Sequence, residues 1–164
     1  MTAHRDYEFL QGITWYAVDA DQRIAAFDLG SLPQAALAVA RDWERVDAMM
    51  RALPEVTDCR VLISRDDITR AQIKGVSQHS KERLADAMMP YRESIVSELP
   101  RRGIYQFAGM PSPYGQLPPK YRLVGLPLEP IRLDSLADEW RQIVGSVTAP
   151  VRFSEVREVD VRGW

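Results

Sequence analysis

The sequence has one cysteine, two histidines and three lysines, so it is poor in several of the residue types on which site chemistry is commonly built. A lone Cys59 excludes an internal disulfide and any zinc site made from several thiolates, and it fits a reducing compartment. With no neighbouring His and an apolar run around it, Cys59 reads as an inert packed thiol, not a nucleophile. Only His4 and His79 offer imidazoles, and His4 lies in a terminal stretch, 1–11, expected to be poorly ordered. His79 stands near Ser77 and Ser80, but no Gly-x-Ser-x-Gly elbow occurs, so a surface or helix-capping histidine is expected.

Long apolar runs are also missing. Nowhere do eighteen apolar residues follow one another, and the first ten residues carry Arg5, Asp6 and Glu8 where a signal peptide would be apolar. A cytoplasmic protein that does not span a membrane is expected. The formal charge of −2 and the absence of a basic tail or stripe argue against a general nucleic-acid binder. No Gly-x4-Gly-Lys-Ser/Thr or Gly-x-Gly-x2-Gly pattern precedes a helix, so no nucleotide cofactor of those kinds is expected, and no other cofactor is implied. Asp19-Ala20-Asp21 opens like a calcium loop, but Ile24 falls where Gly is required and Gly30 where the bidentate Glu is required, so no metal site is assigned. Asp66, Asp67, Asp134, Asp138 and Glu139 read as solvated or helix-capping acids.

What is present suits one folded unit. The 164 residues are 46% hydrophobic and 27% charged, and a chain of that length buries about 70% of its unfolded surface in a single core. Residues 14–28 alternate aromatic and β-branched residues around an Asp-rich break at 20–22, the pattern of a hairpin. Ser31 and Pro33 then suit a helix start, and Ala36, Val39, Ala40, Trp43, Val46, Met50 and Leu53 form one apolar stripe to about residue 52. On the opposite side, Asp47 and Arg51 have the spacing of an i,i+4 pair. Residues 59–64 suit a strand, and 65–76 stay unassigned.

A second helix from about residue 80 would turn Leu84, Met88, Tyr91, Ile95 and Leu99 inward, with Pro90 either kinking it or dividing it in two. Residues 102–107 and 120–124 have strand alternation, and a last helix over 135–144, capped by Asp134, would bury Leu136, Trp140, Ile143 and Val147. Residues 150–153 and 156–161 end the chain as strands. The expectation is a single α+β domain, 1–164, with a mainly antiparallel sheet packed against three to four helices.

Between the strands at 102–107 and 120–124, residues 109–119 hold four prolines and two glycines, which forbid a ladder or helix and make a surface loop. Met110, Tyr114, Leu117 and Tyr121 give this region apolar surface on a backbone that costs little entropy to order, which suits protein recognition. A rigid connection with its rings folded onto the core fits the same residues.

The segments Trp15-Tyr16-Ala17-Val18-Asp19 and, four residues on, Ile24-Ala25-Ala26-Phe27-Asp28 resemble the opening of a loose group of small bacterial immunity-type proteins. This group comprises immunity proteins against polymorphic toxins and uncharacterised relatives. Arg102-Gly103-Ile104-Tyr105, the 121–127 strand with Pro130 beyond it, and Pro150-Val151-Arg152-Phe153 are similar to its second half in content and order. The resemblance implies a protein that neutralises a cognate toxin or effector by stoichiometric binding, without catalytic residues. Two alternatives belong to other classes: a small hydrolase or transferase assembled from separated residues such as Asp19, Asp28, Arg65 and His79, and a structural or regulatory subunit of a homo-oligomer.

Overall fold

A computed structural model of the chain describes residues 13–63, 77–110 and 118–164, apart from the side chains of Met88, Tyr91 and Arg92. The expected hairpin forms from β1 (Trp15–Val18) and β2 (Ile24–Asp28), paired antiparallel with Trp15 opposite Phe27 and Val18 opposite Ile24. Its turn is built by the Asp19 side chain: Oδ1 accepts the N–H groups of Asp21 at 2.9 Å and Arg23 at 3.0 Å, while Gln22 takes a left-handed φ of 63°.

The predicted helix from 33 to 52 is divided. α1 (Gln34–Ala38) ends at Val39, a 3-10 turn covers Ala40–Asp42, and α2 (Trp43–Arg51) follows. The break has a chemical cause at Trp43, whose indole Nε1 donates to the Ala36 carbonyl at 2.8 Å and so takes an acceptor that a continuous helix would use. Ser31 is not the cap; its N–H donates to the Pro118 carbonyl at 2.9 Å, and Pro33 holds the cap position without a side-chain bond. The Asp47–Arg51 pair does form, at 3.0 Å.

β3 (Cys59–Val61) is a short strand with Cys59 half-buried. α3 (Gln78–Ser97) is one helix that keeps Pro90 inside it, and its N-cap is Ser77, whose Oγ accepts the Ser80 N–H at 3.2 Å. Its buried face differs from the predicted one. Leu84 and Ile95 are exposed, whereas Ala85 and Val96 are buried, with Leu99 buried beyond the helix end. At Val96 the close approach depends on a glycine: Gly125 lies so near that an added Cβ would stand 2.8 Å from the Val96 carbonyl.

β4 (Tyr105–Gly109) and β5 (Lys120–Pro127) follow, then a 3-10 turn (Leu133–Ser135), α4 (Asp138–Val144) and β6 (Glu158–Asp160). α4 starts later than predicted because Leu136 leaves the 3-10 turn in extended conformation, and its cap position is Ala137, not Asp134. Residues 150–153 form no strand; Phe153 turns into the core instead.

The sheet order is β1-β2-β4-β5-β3, with β6 also on β5. Among the strands of the described residues, the pairings are antiparallel except β2 with β4, which run parallel with Ala26 opposite Gln106 and Phe27 opposite Phe107. This is an α+β fold on a mainly antiparallel mixed sheet. Strand alternation gives the sheet two faces. One carries Trp15, Phe27 and Phe107, and Phe27 lies within 6.1 Å, centroid to centroid, of the rings of Trp15, Phe107, Tyr121, Phe153 and Trp164. The other carries Tyr16, Ala26, Asp28 and Gln106 and meets α2, where Tyr16 packs on Trp43. Among the described residues, no helix is long and apolar enough to cross a membrane.

Candidate functional site

The open end of the β1–β2 hairpin gathers an unusual set of groups. Asp28 is the last residue of β2, Thr14 precedes β1, and Gln106 lies on the neighbouring parallel strand. The Thr14 hydroxyl donates to Asp28 Oδ1, and Gln106 Nε2 donates to Asp28 Oδ2 at 2.9 Å. Burial pushes the Asp28 carboxyl above its ordinary pKa, against the opposing effect of those two bonds. Gln106 is 3% exposed, and its Oε1 is buried with no hydrogen-bond partner.

A second polar chain stands beside it on the same face of the sheet. The Tyr16 hydroxyl donates to Asp47 Oδ1 at 2.7 Å, Arg51 Nε reaches both Asp47 oxygens, and Arg51 Nη1 reaches Glu98 at 2.9 Å. Burial, reinforced by the Asp47 charge, raises the Tyr16 pKa and keeps the phenol neutral. β1, α2 and the end of α3 are tied together by this chain.

Immediately after Asp28, Leu29 adopts φ 61° with its side chain 64% exposed. A bulky residue in the left-handed region is a backbone outlier with an energetic cost. Its neighbours hold it there. The Leu29 carbonyl lies over Gly109 so closely that a Cβ on that glycine would stand 2.0 Å from the oxygen, and Ser31 is bonded to Pro118 just beyond. Met110, half-buried, follows Gly109 and donates its N–H to the Lys120 carbonyl at 2.8 Å. Leu29 and Met110 therefore follow the carboxyl ends of the two parallel strands as an apolar lip.

The residues picked from the sequence are distributed unevenly around this lip. Met110 belongs to it, and Tyr114 and Leu117 lie outside the described residues. Tyr121 is a correction. Its ring is wholly buried, its hydroxyl accepts the Trp15 Nε1–H at 3.0 Å and donates to the Ser31 carbonyl at 2.8 Å, and it is a core residue with no surface to offer a partner. Gly30 is the space its ring occupies, since a Cβ there would stand 2.4 Å from Tyr121 Cζ.

Of the residues considered for catalysis, Asp19 and Asp28 sit at opposite ends of the hairpin, His79 is exposed in the first turn of α3, and Arg65 lies outside the described residues. Asp19 is wholly buried, and its Oδ2 accepts the Phe153 N–H at 2.9 Å, so both carboxylate oxygens are committed to backbone donors. An open hollow of about 470 Å³ beside Ala149, Val151 and Val156 contains Arg152, whose charge is already opposed by Asp21 at 3.5 Å and Glu155 at 3.4 Å. Leu29 and Gln106 escape a reading of the sequence. The signal for Leu29 is a large apolar residue between Asp28 and Gly30, where a turn ordinarily takes a polar residue. Compared with known proteins, the chain matches no family model, no curated protein and no solved structure.

Proposed function

We propose that the chain is a cytoplasmic binding protein of the immunity type, which neutralises a cognate bacterial toxin by stoichiometric association through the Leu29–Met110 lip. The partner class comes from the strand sequences that resemble immunity proteins. The surface comes from one observation: Leu29 is both strained and exposed. A left-handed leucine costs on the order of 1–3 kcal/mol, and within the chain this one gains little burial in return. Covering its exposed two-thirds with a partner would contribute about 1–2 kcal/mol, enough to make it an anchor. Gly109 and Pro118 hold the turn in place before any partner arrives, which lowers the ordering cost of association.

The test is calorimetric titration of the protein against the product of a toxin gene encoded beside its own, together with protection of cells expressing that toxin. Leu29→Asn, which suits the left-handed backbone but removes the apolar side chain, is expected to weaken binding roughly tenfold or more. Unchanged affinity would remove the lip from the interface; failure to bind or protect against any neighbouring product would remove the immunity function.

A further inference from the structure

Asp28 and Gln106 carry two unmet demands at one place. Among the described residues of this cluster, Asp28, Asp47 and Glu98 face a single guanidinium, and the hydrogen bonds of Arg51 go to Asp47 and Glu98. Asp28 receives its two bonds from neutral donors, Thr14 and Gln106, so its charge has no bonded counter-ion among those residues. A few bonds away, Gln106 Oε1 is a buried acceptor with no donor. An orphaned acceptor of this kind costs a desolvation penalty that native proteins seldom leave standing. One chemistry answers both demands, a positively charged hydrogen-bond donor.

We infer that Asp28 and Gln106 form a receptor for a primary ammonium group, which donates one N–H to Asp28 Oδ2 and a second to Gln106 Oε1 while Gln106 Nε2 keeps its bond to the same Asp28 oxygen. Ammonium fits better than guanidinium: each Asp28 oxygen already accepts one bond, from Thr14 and from Gln106, which crowds a planar fork that must reach both, whereas an ammonium is a compact three-donor charge that needs one remaining site on Oδ2. Asp28 is only partly buried and lies at the carboxyl end of β2, with the exposed Leu29 next in the chain. The source of the ammonium is a lysine side chain of the protein partner entering beside the lip, and in this respect alone the inference rests on the function proposed above.

The receptor is tested without the partner, by NMR titration of the protein with n-butylammonium chloride, with n-butylguanidinium chloride and sodium chloride at equal ionic strength as comparisons. The Gln106 side-chain amide is expected to shift saturably with butylammonium, roughly tenfold more weakly with the guanidinium, and not with sodium. Asp28→Asn should cost about tenfold or more in that affinity. Gln106→Met, which removes the orphaned acceptor while keeping the side chain's length, should also weaken binding, read at the Thr14 and Leu29 backbone amides. A shift that never saturates, that sodium reproduces, or that Asp28→Asn leaves unchanged overturns the inference.

Acetylating the lysines of the partner separates the sources. Weaker association identifies a partner lysine, and undiminished association with butylammonium still bound identifies a free amine as the ligand of the same receptor. If butylammonium fails while Leu29→Asn still weakens the complex, the receptor falls and the lip stands.

Discussion

Oδ2 of Asp19 accepts the backbone N–H of Phe153 at 2.9 Å, joining the first hairpin turn to a segment near the other end of the sequence. The same carboxylate closes the turn through Asp21 and Arg23, so one side chain sets both the local geometry of the hairpin and the entry of Phe153 into the aromatic core. Asp19→Asn keeps the shape but offers one oxygen in place of two, and its amide N–H groups would face a backbone donor. A loss of about 2–4 kcal/mol in urea unfolding is expected, with an unchanged m-value. A loss below 0.5 kcal/mol, on the order of an ordinary surface substitution, would show that the turn and Phe153 do not depend on this carboxylate.

Tyr121→Phe removes a hydroxyl that serves Trp15 and Ser31 at once. The indole N–H and the Ser31 carbonyl both lose a partner in the interior, and the expected cost is about 1–3 kcal/mol. Partner affinity measured on the same variant at a temperature where it is fully folded should equal that of the parent, because the ring is not on the surface.

Leu29→Asn and Gly109→Ala act on opposite sides of one contact. The first relieves an apolar residue of a conformation it tolerates poorly, so stability should hold or rise by up to about 1 kcal/mol while binding falls. The second drives a methyl group into the Leu29 carbonyl and should lower stability and binding together. Thermal unfolding and calorimetry on both variants separate the effects; a loss of stability in the Leu29→Asn variant would contradict the strain assigned to this turn.

Asp28 gives the protein a pH signature. Its folded-state pKa lies above the value of about 3.9 that it has in an unfolded chain. The folded state therefore holds the proton more tightly, so this residue favours folding at pH below the unfolded value and that contribution is lost as pH rises through the folded value. Stability of the parent minus that of Asp28→Asn should accordingly decline from about pH 4 upward and level off once the folded carboxyl is ionised. A difference that grows with pH over this range would mean that the carboxyl is stabilised as an anion, contrary to its burial.

The hairpin and the α+β class are legible because they rest on local alternation: Trp15, Ala17, Ala25 and Phe27 fall on one face simply by counting in twos. The division of the 33–52 helix is not, since apolar periodicity continues unbroken through Val39 and Ala40 and only the indole of Trp43, folded back on Ala36, interrupts the backbone. The inward face of α3 is hidden for a related reason. Large side chains suggest a core stripe, but Ala85 and Val96 are the ones buried, Val96 where Gly125 lets the helix come close. The parallel pairing of β2 with β4 joins segments far apart in the chain, and it alone brings Gln106 to Asp28 and Gly109 to Leu29. Met110 can be picked from the loop composition, whereas the lip it helps to make depends on that crossover. Tyr121 reads equally well as a surface residue because its strand alternation is compatible with either face until Gly30 opens room for the ring.

Phe27 touches rings drawn from positions 15, 107, 121, 153 and 164. On a ribosome, the β1–β2 hairpin emerges with Trp15 as the first of those five rings to cover that phenylalanine, and the other four ring contacts wait until the last of those residues has been added. Folding should thus be a late event, slow by the standard of helical bundles and all-or-none once it starts, with the nascent hairpin as the stretch most in need of chaperone cover.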